Sequence, residues 1–174
     1  MLFDQTFVGS HFTRLCGGAE EPLYTPAGRP GELHRIFFTR DYFASALHEV
    51  AHWCVAGPAR REREDYGYWY APDGRTADQQ AEFERVEVRP QALERLFARA
   101  ADFDFRPSAD NLAAGLGPSE AFRRAIHEQT LRFCERGVNE RVSAFLTSLI
   151  SHYGTATSLS GFLRPQRFGW SELA

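Results

Sequence analysis

No lysine occurs among the 174 residues, and all 20 basic side chains are arginine. A mechanism that forms a Schiff base on a lysine amine is therefore excluded. Cysteine is almost as scarce. Cys16, Cys54 and Cys134 are widely spaced and form no CxxC pair, which excludes a disulfide framework and suits small buried thiols in a reduced, cytoplasmic protein. Long apolar runs are missing as well: the N-terminal stretch meets Asp4 too early for a signal peptide, and no segment approaches transmembrane length. Neither sign of charge dominates, with a formal net of -3 and a pI near 6.1. No sequence-wide field draws nucleic acid or an anionic membrane, so a macromolecular partner must be recognised locally.

What is present suffices for one core. A hydrophobic content of 43% with 14% aromatics predicts one compact domain over residues 1–174, of α+β class, mainly helical with a small sheet. Residues 17–31 are polar and rich in Gly and Pro, and read as loop. The β-branched and aromatic run His34 to Thr39 predicts a strand. From Asp41 to Gly57 the apolar positions Phe43, Leu47, Val50, Ala51, Cys54 and Val55 recur at helical spacing, and Gly57-Pro58 predicts a left-handed cap and a stop. Residues 58–78 form a connection too long for a bland turn. Helical periodicity returns over 79–101, interrupted by Pro90, and a final helix or helix pair covers 119–153. The tail from Gly154 is Ser/Thr/Gly-rich and then aromatic, and no chemistry is assigned to it.

The segment His48-Glu49-Val50-Ala51-His52 matches H-E-x-x-H inside the first of these helices. Residues four apart share a helix face, so both imidazoles can reach one ion. The competing interpretation is two unrelated histidines on an amphipathic helix. A third ligand must come from elsewhere, and Glu82, Glu84, Glu87 and Glu94 offer carboxylates. At about 100° per residue, Glu87 and Glu94 border one edge of the apolar stripe, Glu84 points away from it and Glu82 falls within it. Pro90 removes a hydrogen bond to the carbonyl of Val86, which predicts a kink or restart beside Glu87. Glu87 is therefore the chosen ligand, with Glu84 and Glu94 in reserve.

Two histidines and a carboxylate serve both zinc peptidases and non-heme iron oxygenases. In a zinc metallopeptidase Glu49 is the general base, whereas in an oxygenase it handles protons beside the metal. The ligands leave both open.

Longer motifs narrow the choice. Glu21-Pro-Leu-Tyr24, YFASALHEVAHWC over residues 42–54, Arg60-Arg61, DYGYWYAPDGR over 65–75, VEVRPQAL over 86–93 and Asp110-Asn-Leu112 follow in order. Together they resemble the elongation factor P hydroxylase family, from about residue 13 to residue 115. Arg89 stands where that family suggests lysine, and Glu94 where aspartate also occurs. The resemblance implies an iron-dependent monooxygenase-type hydroxylase that acts on the β-lysylated lysine of elongation factor P. It further implies Fe(II) held by His48, His52 and Glu87. In the oxygenase reading dioxygen is the expected co-substrate and Glu49 a catalytic group, and zinc, which binds such ligands more tightly than ferrous iron, is expected to enter in aerobic preparations. Such a substrate carries cationic amines, which call for carboxylates and aromatic faces. Asp65 and Tyr68 are the expected substrate contacts, no membrane or direct nucleic-acid contact is expected, and the bland alternative is that the loop's aromatics only cover the core.

Overall fold

The computed structural model describes residues 1–66, 75–109 and 117–173. The chain opens with helix α1 (Leu2–His11), which buries Phe3 and Phe7 one turn apart against Trp53 and Phe145. Three strands follow: β1 (Thr13–Ala19), β2 (Leu23–Thr25) and β3 (His34–Thr39). β3 lies in the middle, parallel to β1 and antiparallel to β2. Its alternation places Ile36 and Phe38 in the core, as a strand with one packed face requires.

The predicted strand thus has its predicted bounds, but the segment read as loop contains β1's end and all of β2. Gly17 and Gly18 hid the strand. A Cβ on Gly17 would lie 2.9 Å from both the Phe38 ring and the Asp41 carboxylate, and Gly18 has a φ of +86°, at a break in the β1–β3 register. Both glycines therefore answer to the packing and the bulge of a strand.

Helix α2 (Phe43–Val55) carries the HExxH motif and buries Leu47, Val50, Ala51 and Cys54. Its end departs from expectation. Gly57 takes no left-handed conformation, and Ala56 leaves the helix in an extended one. The last carbonyls are satisfied by other parts of the chain: Asn139 Nδ2 donates to Cys54 O at 2.9 Å, and Arg141 donates to Cys54 O and Ala56 O at 3.2 and 2.8 Å.

Helix α3 (Ala77–Ala100) starts from a capping box formed by Thr76 and Gln79 and runs unbroken through Pro90. No restart occurs beside Glu87, because packing of the C-terminal half, buried at nearly every position from Pro90 to Ala100, outweighs one lost hydrogen bond. Glu82 lies exposed with Arg85, not within the buried stripe. Helices α4 (Glu120–Arg136) and α5 (Glu140–Tyr153) are capped by Ser119 and Asn139. The tail, including helix α6 (Leu159–Phe162), buries Phe162, Phe168 and Leu173 in the same core as the sheet and the long helices.

Asn139 has two structural duties, since its Oδ1 also accepts from Val142 N at 3.0 Å to cap α5. Asn139→Ala should lose about 2 kcal/mol of stability, measured by urea unfolding. An unchanged midpoint would show that solvent replaces both bonds at no cost.

Candidate metal centre

The geometry begins with the crossing of α2 and α3. His48 and His52 share one face of α2, and their Nε2 atoms are 2.9 Å apart. Glu87, Gln91 and Glu94 lie four and then three residues apart on α3, so they present one face to those rings. Glu87 Oε1 is 3.2 Å from His52 Nε2, and Oε2 is 3.6 Å from His48 Nε2. One donor atom from each of His48, His52 and Glu87 lies within 4.8 Å of the others, a grouping that can hold a metal ion.

The donor set fits such an ion. Glu87 is 2% exposed, and its Oε2 is buried with no hydrogen-bond partner, an arrangement that favours a cation in that position. Two neutral imidazole nitrogens facing each other can share a proton in only one direction, whereas an ion takes both lone pairs. Their separation is close to that of two donors held about 2.1 Å from one ion at roughly a right angle.

The surrounding groups fix the orientation of these side chains. Glu94 Oε2 meets His48 Nδ1 at 2.8 Å, leaving Nε2 to face His52 and Glu87. Gln91 hydrogen-bonds Glu87 and is itself clamped to Ser108, donating from Nε2 to Ser108 O at 2.8 Å and accepting from Ser108 N at 3.0 Å. Gln91 escaped notice in the sequence, although its place one turn beyond Glu87 was a usable signal. Glu84 is a different case: its carboxylate accepts from Ser119 N and Oγ at 3.1 and 2.6 Å, on the start of α4 and away from the histidines. It is thereby removed as a reserve ligand.

Glu49 is half-buried and shares a cavity of about 20 Å³ with Tyr24, His52, Trp53 and Asp65, enough for about one water molecule. Burial pushes its carboxyl pKa up, against the pull of His48 and His52. Asp65 reaches the same cavity, but both of its carboxylate oxygens accept from the Arg60 guanidinium, and its backbone pairs with Tyr24. Tyr68 lies outside the described residues. Cys54 is buried and its thiol is pushed far up by desolvation, consistent with a packing role. His34 and His127 bond to Tyr24 and Arg95 and do not belong to the candidate ligand group.

In the metal-free protein, burial alone would lower the His48 pKa, but Glu94, then Glu87 and Glu49, raise it to about 10. Burial likewise raises Glu87, but His52 and His48 draw it down to about 2. The raised histidine stabilises the fold fully below its ordinary pKa of 6.5, and that contribution is lost as pH rises through about 10. The depressed carboxylate contributes above its ordinary 4.5, and that contribution is lost as pH falls through about 2. Metal binding needs the deprotonated ring and so gains with pH. The melting temperatures of chelator-treated and metal-loaded protein should therefore diverge as pH rises above 6.5. A gap that narrows toward alkaline pH would contradict this pairing.

Comparison with known proteins agrees with the geometry. The family model described as elongation factor P hydroxylase matches residues 2–161. A protein of Haemophilus influenzae named elongation factor P lysine hydroxylase is 43% identical over 159 residues, covering 91% of this chain and 89% of that relative. The match spans the sheet, the HExxH helix and the carboxylate face of α3, and this chain belongs to the elongation factor P hydroxylase family.

Proposed function

We propose that this chain is an iron-dependent hydroxylase of elongation factor P, acting in the cytoplasm on the β-lysylated lysine with dioxygen as co-substrate and an external two-electron reductant that takes the second oxygen atom to water. One observation carries the reading: two imidazole nitrogens and a buried, unpartnered carboxylate oxygen converge in a chain similar over most of its length to an elongation factor P lysine hydroxylase. His48, His52 and Glu87 hold the ion. Ferrous iron held by them would supply the one-electron chemistry that dioxygen activation requires.

The remaining roles fall to the chain's own groups. Glu94 holds the His48 ring with Nε2 inward, and Gln91 holds Glu87. Glu49, which has no hydrogen-bond partner among the described residues, is the carboxylate that receives or returns a proton in the small cavity. Asp65 and Tyr68 contact the cationic substrate, Asp65 with its charge shared with Arg60. Asp65→Asn should weaken use of the β-lysylated factor while metal content and melting temperature stay near wild type. Unaltered turnover in that variant would leave Asp65 as the partner of Arg60 and nothing more.

The direct experiment is the mass of elongation factor P from cells with and without this protein. The factor should be heavier by one oxygen atom only where the protein is present. An identical mass, with the β-lysyl group attached in both, would overturn the proposal. Metal analysis after anaerobic purification should find iron. Zinc from an aerobic preparation decides little, because zinc outcompetes ferrous iron for such ligands.

A further inference from the structure

A further cavity lies away from the metal centre, at the C-terminal end of α3. It measures about 430 Å³ and is lined by Arg95, Arg99, Arg106 and Arg123, with Phe103 and Phe105 among its apolar walls. Its shape follows from the turn after α3. Asp102 adopts a left-handed conformation and Phe103 N returns to Ala98 O at 2.9 Å, which folds residues 103–107 back beside the helix.

Four guanidiniums face two carboxylates, Asp104 and Glu172. Arg95 is 1% exposed and fixed by Glu172 Oε2 and Gly169 O, each at 2.7 Å, yet its Nε is buried without an acceptor. Arg123 donates to Leu173 O at 3.3 Å, and its Nε is likewise buried and unsatisfied. Buried donors normally find partners. Arg99 and Arg106 are exposed at the rim, and neither has a hydrogen bond or ion pair among the described residues.

We propose that this cavity binds a small phosphate monoester with an aromatic or apolar body. The excess of two positive charges in the lining matches a phosphate dianion, and planar guanidiniums suit oxyanions better than point charges do. The volume is that of a small-molecule pocket, too large for a single ion, and its concavity favours a small ligand over a macromolecular surface. Phe103, which stacks edge-on against Phe43, and Phe105 supply faces for the organic part. The site is separate from the proposed hydroxylation centre, and neither reading depends on the other.

The test is titration calorimetry of the full-length chain with phenyl phosphate, benzoate and inorganic phosphate, each against sodium chloride at equal ionic strength. Phenyl phosphate should bind saturably at one site. The double variant Arg99→Gln, Arg106→Gln should bind it at least about tenfold more weakly, with an unchanged melting temperature because both side chains are exposed and unpaired. Inorganic phosphate, lacking a body for the phenylalanines, should bind more weakly than the ester. Heat indistinguishable from that of chloride, or equal affinity in the double variant, would overturn the site. Benzoate binding as tightly as the ester would overturn the phosphate assignment, and free phosphate doing so would overturn the role of the aromatic walls.

Discussion

His52→Ala should lower metal affinity by more than roughly two orders of magnitude, since loss of a mere supporting partner already costs 10–100-fold. Hydroxylation should fall with it, while the far-UV circular dichroism stays close to wild type. His52 is half-buried on a helix whose packing rests on Leu47, Val50, Ala51 and Cys54, so removing one ring does not remove what folds α2. Anaerobic competition with a coloured chelator measures the affinity. Wild-type metal binding in this variant would exclude His52 from the ligand set, and collapse of the helical signal would make the metal a structural staple instead of a reaction centre.

At Glu94 the expected loss is graded, and the grading separates two roles. Under the proposed ligand set Glu94, the partner of His48 Nδ1, fixes which nitrogen faces the ion and makes the ring a stronger donor. Glu94→Gln keeps an acceptor oxygen of similar reach and should weaken metal binding about tenfold, whereas Glu94→Leu should approach about a hundredfold. The same chelator competition reads both. If Glu94→Gln instead loses metal as completely as His52→Ala, Glu94 binds the ion directly and the orientation assigned to His48 is wrong.

The sequence exposed those parts of the molecule whose signal is periodic and local. β3 was evident from its aromatic and β-branched residues, α2 from its apolar spacing, and the pairing of His48 with His52 from the helical repeat. Glu87 and Glu94 were placed on one edge of α3 by the same repeat, and both do face α2. Tertiary contacts stayed hidden. Gly17 and Gly18 resemble loop residues until Phe38 and Asp41 are seen packed against the first of them. Pro90 signals a break until the burial of the following residues is known. The end of α2 invited a glycine cap because nothing in the local sequence reveals that Asn139 and Arg141 approach its carbonyls. Among the carboxylates of α3, spacing alone could not tell a ligand candidate from a partner of its neighbour. That distinction needed the 2.8 Å contact between Glu94 and His48.

The placement of both histidines on α2 and of their carboxylates on α3 gives the centre the character of a calliper. Under the proposed ligand set, an ion gripped from both sides registers the spacing of two helices, so bulk added at a buried, donor-free position such as Ala51 or Ala92 should be felt as a change in metal affinity without touching a ligand. Tolerance to substitution along this crossing is then set by how tightly metal must be retained as well as by the packing of the core.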